Sequence, residues 1–483
     1  VSSSRIINAE NLDADIVVVG GGGCGLAAAV AAAEKGAYVV LLEKRRTVGG
    51  SSVMAEGLFA AKSPVQKRMK IDARSDTLFR IAMDYAHWQI NPRIVRAFID
   101  KSGDTIEWLQ GKGMHFRCLQ YYPNQDPAVW HCFDGGGNTL VQVMHNNCIC
   151  LGVRVLENNA VKKILTDTRK RVTGVVAATK GKKRKVTAKS VIIATGGYGG
   201  NKKLLRKYYP YYNEHMVCLG VPHMGDGLIM ATELGAATEG LGILHLAGNA
   251  PRGSFELEVV AEEPNTIWLN KKGERFIDEA AGFKHFESTN ALVRQPGGVG
   301  YILLDEGVKR DMMEKGVMKG LSLKAPRGTK LARLGEELAL ASEKDKEWVR
   351  ISHSWNELAG WIGAKPEVMK NTIDEYNSFC DQGYDTVFTK DREYLVALRT
   401  PPYYALRCYA RFMGTIGGIK INHHMEVLDH EDNPIPGLYA GGNDTGGWET
   451  ETYNVELAGT TLGFAINSGR IAGENAARYA LGN

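Results

Sequence analysis

Asp15-Ile-Val-Val-Val-Gly20 runs directly into Gly21-Gly-Gly-Cys-Gly25 and then into an alanine-rich stretch, Leu26 to Lys35. A short β-branched run closed by glycines has the texture of a buried parallel strand, and the alanines that follow have that of a helix. Ala37 to Lys44, AYVVLLEK, reads as a second buried strand, so a βαβ unit is expected within the first 45 residues. Gly20, Gly22 and Gly25 satisfy G-x-G-x-x-G between strand and helix, and Glu43 closes the second strand. In that context the first glycine permits the tight turn and the second lets backbone approach a pyrophosphate. The third lets helix pack on strand. The helix N-terminus supplies N–H groups and a positive dipole to the phosphates, and Glu43 would accept from the ribose hydroxyls.

The fingerprint alone does not separate NAD from FAD. Thr47-Val-Gly-Gly-Ser-Ser52 continues past the acidic residue as a glycine/serine loop. Ala194-Thr-Gly-Gly-Tyr-Gly-Gly200 ends a hydrophobic strand, and Gly437-Leu-Tyr-Ala-Gly-Gly-Asn443 ends another near the C-terminus. Three glycine-rich strand ends converging on one place suit an extended FAD better than NAD.

The chain has 483 residues, which predicts two or three domains, and 44% hydrophobic with 23% charged residues is a globular composition. A net charge of +5 is small for this length and gives no support for nucleic-acid binding. No run of about 18 apolar residues occurs, so no spanning helix is expected. The opening residues carry no signal-peptide pattern, and a cytoplasmic location is expected. The cysteines at 24, 118, 132, 148, 150, 218, 380 and 408 show no CxxC pair or metal-ligand spacing and are expected to be buried free thiols.

Between 151 and 200 lie three strand-like runs, VRVLENNAV, VTGVVAAT and SVIIATGG, and the basic stretch Lys180 to Lys185 is expected to cap an exposed hairpin between the last two. From about 236 to 374 long charged helical stretches appear, GEELALASEKDKEWVR and KPEVMKNTIDEYNSFC among them. Strand signals return at GGIKIN and GLYAGG. There is no internal repeat.

Taken together, VVVGGGGCGLAAA, LLEKRRTVGGSS, SVIIATGGYGG, MGDGLIMATELGA, LNKKGERFIDE, IGGIKIN, IPGLYAGGNDTGG and LGFAINSGRIAGENAARY resemble the flavoproteins of the fumarate reductase and succinate dehydrogenase superfamily, a group that includes the 3-ketosteroid dehydrogenases. The resemblance implies an α/β fold: a Rossmann-type FAD domain at 1–236 and 375–483 with an α+β capping domain inserted at 237–374. The substrate site would lie where the cap closes over the flavin. It implies cofactor contacts at Gly20, Gly22, Cys24, Gly25, Glu43, Lys44, Gly50, Ser51, Ser52, Glu56, Gly57, Val161, Ala194, Thr195, Gly196, Asp226, Gly442, Asn443, Gly459, Thr461 and Leu462. Members that bind FAD covalently use a histidine in the loop after the acidic strand. Here that loop reads Gly49-Gly-Ser-Ser-Val53, so non-covalent FAD is expected. The last helix, beginning near Ala458, would aim its N-terminus at the flavin and stabilise its anionic reduced form.

The family's fumarate reductases clamp a dicarboxylate with two arginines and a histidine. In this sequence the first arginine falls near His285 or Phe286, the histidine at Gly414 and the second arginine at Glu456. A carboxylate in place of an arginine would repel a carboxylate substrate, so fumarate and succinate are not expected. The implied chemistry remains hydride transfer between flavin N5 and a C=C next to a carbonyl, with proton transfer at the neighbouring carbon. The expected substrate is a neutral enone, a steroid-like ring or an aryl acrylate.

Candidate catalytic residues are Tyr453, Glu456 and His285. Tyr453 would donate a hydrogen bond or proton to a carbonyl, although the tyrosine that ketosteroid dehydrogenases use aligns nearer Val455. Glu456 is either chemical or a carboxylate holding loop N–H groups, and His285 is an acid or a satisfied polar residue. Trp130, His131, His245, Gly414 and Trp448 are candidate substrate contacts, the aromatics being core in the alternative reading. Asp278 and Glu279 are expected to hold the cap–flavin junction. With no haem-attachment motif or second fingerprint, electrons would come from an external donor or from the substrate. A flavin electron-transfer protein without catalysis, or an oxygen-using oxidase, is the competing expectation, and oligomeric state is left open.

Overall fold

The structure is a computed structural model that describes residues 11–251, 254–321 and 323–482; the side chains of residues 250 and 285 also lie outside what is described. Two compact units are present, one built from 1–210, 220–245 and 413–483, the other from 211–219 and 246–412. The second unit therefore runs on to 412 rather than ending at 374, because the strand Tyr403–Thr415 pairs along most of its length with Val299–Asp305.

The first unit is organised on a six-stranded sheet. Its strands are β1 (Ile16–Val19), β2 (Val39–Leu42), β3 (Arg154–Leu156), β4 (Ser190–Ile193), β5 (Glu426–Leu428) and β6 (Pro434–Ala440), in the order β5-β6-β4-β1-β2-β3. All neighbours are parallel except the edge pair β5–β6. Strands β1, β2 and β4 are buried at every position, which is why they read as unbroken apolar runs rather than alternating ones.

Helix α1 (Gly23–Glu34) joins β1 to β2 and begins inside the fingerprint, earlier than the alanine pattern alone predicts. It lies against the last helix, α2 (Thr460–Leu481). Small residues make that crossing possible: a Cβ on Gly469 would stand 2.2 Å from the Cys24 carbonyl oxygen, and one on Gly473 2.3 Å from that of Ala28. The basic stretch is not only a hairpin tip. Lys180 and Gly181 form the turn, and Lys182–Thr187 is itself a strand paired antiparallel with Val172–Thr179.

In the second unit, Val299–Asp305 pairs antiparallel with Ile267–Leu269 and with 403–409, and Val349–Ser352 pairs with 403–406. The helix Leu334–Lys344 stops short of Val349, so the charged run expected as one helix is a helix followed by a strand. Trp268, Leu303, Tyr376 and Leu406 belong to this unit's own apolar core. Glu279 is fully buried in the same unit, paired with Arg275 at 2.8 Å and Lys390 at 3.1 Å. Five of the eight cysteines are buried, while Cys150 is exposed and Cys218 and Cys380 are intermediate, a departure from the expectation that all are buried. Among the described residues no helix is long and apolar enough to cross a membrane, and no cluster of metal-ligating side chains occurs.

Candidate active site

Where β1 ends, the chain is compressed to the limit that glycine allows. A Cβ on Gly25 would lie 1.9 Å from the Gly20 carbonyl oxygen, and one on Gly20 2.3 Å from that of Ala194. Gly22 is different: its nearest neighbour, the Gly49 carbonyl oxygen, would be 3.9 Å away, so the backbone there faces open space. Glu43 is buried and reaches back to this loop, accepting from Gly21 N–H at 2.8 Å and from Arg45 N–H at 2.7 Å. Ser52 Oγ accepts from Gly23 N–H at 3.0 Å, which ties the second glycine loop to the first. Ser51 Oγ accepts from Val221 N–H at 3.0 Å and pairs with His223 Nε2 at 3.2 Å. Burial, with the nearby charges of Lys44 and Arg45, brings His223 down to about 4. Lys44 pairs with Asp226 at 2.7 Å.

The other two glycine-rich strand ends meet at Asp444. Its carboxylate accepts from Thr195 Oγ at 2.9 Å, from Gly196 N–H at 3.0 Å, from Gly197 N–H at 2.9 Å and from Thr195 N–H. Thr195 Oγ in turn accepts from Gly227 N–H at 3.0 Å. The loops after β4 and β6 are thereby fixed to each other beside the fingerprint. Gly442 N–H donates to Ser468 Oγ of α2 at 2.9 Å. Asn443 Oδ1 is buried with no partner among the described residues, and Gly414 beside it bears no side chain. An open glycine backbone, a buried acid at the strand end and an orphaned amide oxygen fit an extended dinucleotide.

The Cys24 thiol is buried toward Ser468, and burial pushes it up to about 12. Val161 is buried in the strand Ala160–Thr166. Gly57 lies in a short strand, where a Cβ would meet Trp130 Nε1 at 2.7 Å; Phe133 N–H donates to the Glu56 carbonyl at 3.3 Å.

The loop before α2 carries the remaining candidates. Tyr453 is buried, and its hydroxyl accepts from Gly459 N–H at 2.7 Å and Thr460 N–H at 3.0 Å, capping α2 where a helix exposes unpaired donors. Burial pushes this phenol up to about 12. Its ring stacks on His245 with centroids 4.2 Å apart, and His245 Nδ1 meets Thr461 Oγ at 3.1 Å. Burial holds His245 near 3, so the ring is neutral. Glu449, which sequence reasoning missed, is buried in the same group. It accepts from Asn454 N–H and Thr460 Oγ at 3.4 Å each, and burial raises its carboxyl to about 8. Glu456 is half-buried and accepts from the Tyr122 hydroxyl. Leu462, in the first turn of α2, comes within 3.4 Å of where a Gly23 Cβ would be.

His131 does not stand as a substrate contact. It is fully buried, its Nδ1 donating to the Val129 carbonyl at 3.0 Å and its Nε2 accepting from Ser63 Oγ at 2.7 Å, and burial lowers it to about 4. Trp448 is core as well, stacked on Phe464 at 4.2 Å with its indole N–H donating to the Thr445 carbonyl. Trp130 is buried in a small cluster with Cys132 and Ala458. The side chain of His285 lies outside the described residues.

The FAD binding domain family model matches residues 15–462. Over 444 residues, covering 89% of this chain and 90% of the relative, the sequence is 34% identical to the vinyl phenol reductase of Lactiplantibacillus plantarum. The open conformation of a flavocytochrome c3 fumarate reductase superposes with TM-score 0.74 at 26% identity, covering 97% of this chain and 79% of that one. The 3-ketosteroid-delta4-(5alpha)-dehydrogenase of Rhodococcus jostii RHA1 shares the fold, with TM-score 0.76 at 23% identity and 98% coverage of both chains. With a match running from β1 into α2, the chain belongs to the FAD-binding fumarate reductase and succinate dehydrogenase flavoprotein superfamily, which includes the 3-ketosteroid dehydrogenases, and is an FAD-dependent oxidoreductase acting on C=C and CH–CH groups.

Proposed function

We propose that this chain reduces a C=C conjugated with an uncharged electron-delocalising group, a carbonyl or an aromatic ring, and that fumarate and succinate are not its substrates. The observation that carries this reading is the carboxylate of Glu456, hydrogen-bonded by Tyr122, where a dicarboxylate clamp would need a cation. Gly414, with no side chain, adds no positive charge at the second clamp position. The relative named for vinyl phenol reduction favours the aromatic arm of this proposal over the carbonyl arm.

The flavin would be held without a covalent bond, since the loop from Gly49 to Val53 offers no histidine. Reduced FAD, when bound, supplies the hydride. The chain's own part is to orient the alkene, exclude water and manage the proton. Tyr453 and Glu449 serve this indirectly, by fixing the first turn of α2. An external donor would supply the electrons.

The test uses purified holoprotein supplied with a reduced artificial electron donor under anaerobic conditions. Separate incubations with cinnamaldehyde, a 3-keto-4-ene steroid, a styrene and fumarate are followed by mass analysis. A product that has gained two hydrogen atoms supports the reading, and failure on every neutral alkene with turnover of fumarate sinks it. Denaturation should release the flavin into the supernatant; flavin that stays with the polypeptide contradicts non-covalent attachment.

A further inference from the structure

We infer that Glu449 takes up a proton when the bound flavin is reduced, so that the protein neutralises the negative charge arriving at the N-terminus of α2. This goes beyond the substrate reading above and does not depend on it; it needs only that the chain binds FAD.

The first turn of α2 borders the dinucleotide fingerprint. A Cβ on Gly23 would lie 3.4 Å from the Leu462 side chain, and Gly23 N–H itself donates to Ser52 Oγ at 3.0 Å. Of the donors that open the helix, Gly459 N–H and Thr460 N–H are taken by the Tyr453 hydroxyl. The N–H groups of Thr461 and Leu462 have no acceptor within a first turn and meet none among the described residues. They remain for the cofactor, and a helix end of this kind favours negative charge on what it holds.

Glu449 lies behind the same turn. Its carboxyl is buried and accepts from Thr460 Oγ, on the first residue of α2, and from Asn454 N–H, at 3.4 Å each. Two long hydrogen bonds do not offset the lost hydration of a carboxylate, and no charged side chain contributes to holding one. The titratable groups around it cannot compensate a negative charge. Tyr453 shares its loop, and Tyr85 donates to the Tyr453 carbonyl at 3.3 Å. His245, stacked on Tyr453, is neutral. Glu456 follows on the turn Val455–Leu457, and Glu239 lies against Gly447. Burial therefore raises the Glu449 carboxyl to about 8.

The charges balance as follows. Two electrons from the external donor enter the flavin with one proton, which leaves one negative charge at the helix end. That like charge raises the Glu449 carboxyl further. Above about pH 8 the carboxyl is ionised while the flavin is oxidised, and it takes one proton from solvent as the electrons arrive. Below that pH it keeps its proton in both states. Proton uptake per two electrons therefore rises from one to two across this pH.

Potentiometric titration of the holoprotein with redox mediators, repeated from about pH 6.5 to about 9.5, reads this number as the slope of midpoint potential against pH. The wild-type slope should double above about pH 8. Glu449→Gln, checked for FAD content, should keep the shallow slope throughout, so its potential should rise above that of the wild type only on the alkaline side. A purely structural role would shift the potential by the same amount at every pH. Glu449→Asp, an acid on a shorter chain, should retain the break and move it. A wild-type slope that stays constant overturns the inference without any variant having to fold. A break that survives in Glu449→Gln, or stays at the wild-type pH in Glu449→Asp, overturns it as well.

Discussion

Asp444 holds two backbone loops in register through a single carboxylate, and the sequence gives no hint of it beyond an Asn-Asp pair after a strand. Three of its partners are backbone N–H groups from 195–197, invisible to any reading of side chains; the fourth is the Thr195 hydroxyl. Asp444→Ala would leave those donors buried without an acceptor, at a cost of at least about 3 kcal/mol; thermal unfolding should show the loss and the purified variant should carry less FAD. Tyr453 was legible as a polar aromatic at the right place, but its hydroxyl is committed to capping α2. Tyr453→Phe should cost on the order of 2 kcal/mol for the two unpaired N–H groups.

Glu449 gives a pH-dependent test. Folding raises its carboxyl from the usual range to about 8, so at rising pH the unfolded chain ionises first and the folded chain retains its proton. Its stability contribution is intact at acid pH and falls from about pH 4.5 until the folded group ionises near 8. Glu449→Gln removes that loss: relative to wild type it should gain a few kcal/mol between pH 5 and pH 8.5 in thermal unfolding, each pKa unit being about 1.4 kcal/mol.

Among elements, β1, α1 and β2 were legible because a buried parallel strand and a small-residue helix have distinctive textures. The α1–α2 crossing was not, since the two helices lie at opposite ends of the chain and Gly469 and Gly473 meet their backbone partners in α1 only in the fold. Gly473→Leu would drive a side chain into the Ala28 carbonyl and should cost roughly 1–3 kcal/mol with loss of bound flavin. Gly360, with nothing within 4 Å of its would-be Cβ, is the control: Gly360→Ala should be neutral or stabilise by about 0.5–1 kcal/mol. The strand Val349–Ser352 escaped notice because a charged helix precedes it without a glycine or proline break.

For the molecule as a whole, the order of glycine-rich strand ends announced the cofactor, and composition excluded little else. The edge of the second unit was misplaced because its central strand, Tyr403–Thr415, runs unbroken into the first unit's residues. The chemistry was half legible: the residue types at 414 and 456 argued against a dicarboxylate, while the bond between Tyr122 and Glu456 needed the fold to be seen. The most direct measurement mixes anaerobically reduced holoprotein with fumarate and, separately, with a neutral conjugated alkene, and follows flavin absorbance in a stopped flow. Rapid reoxidation by the neutral alkene and none by fumarate is expected; rapid reoxidation by fumarate would contradict the proposed substrate class.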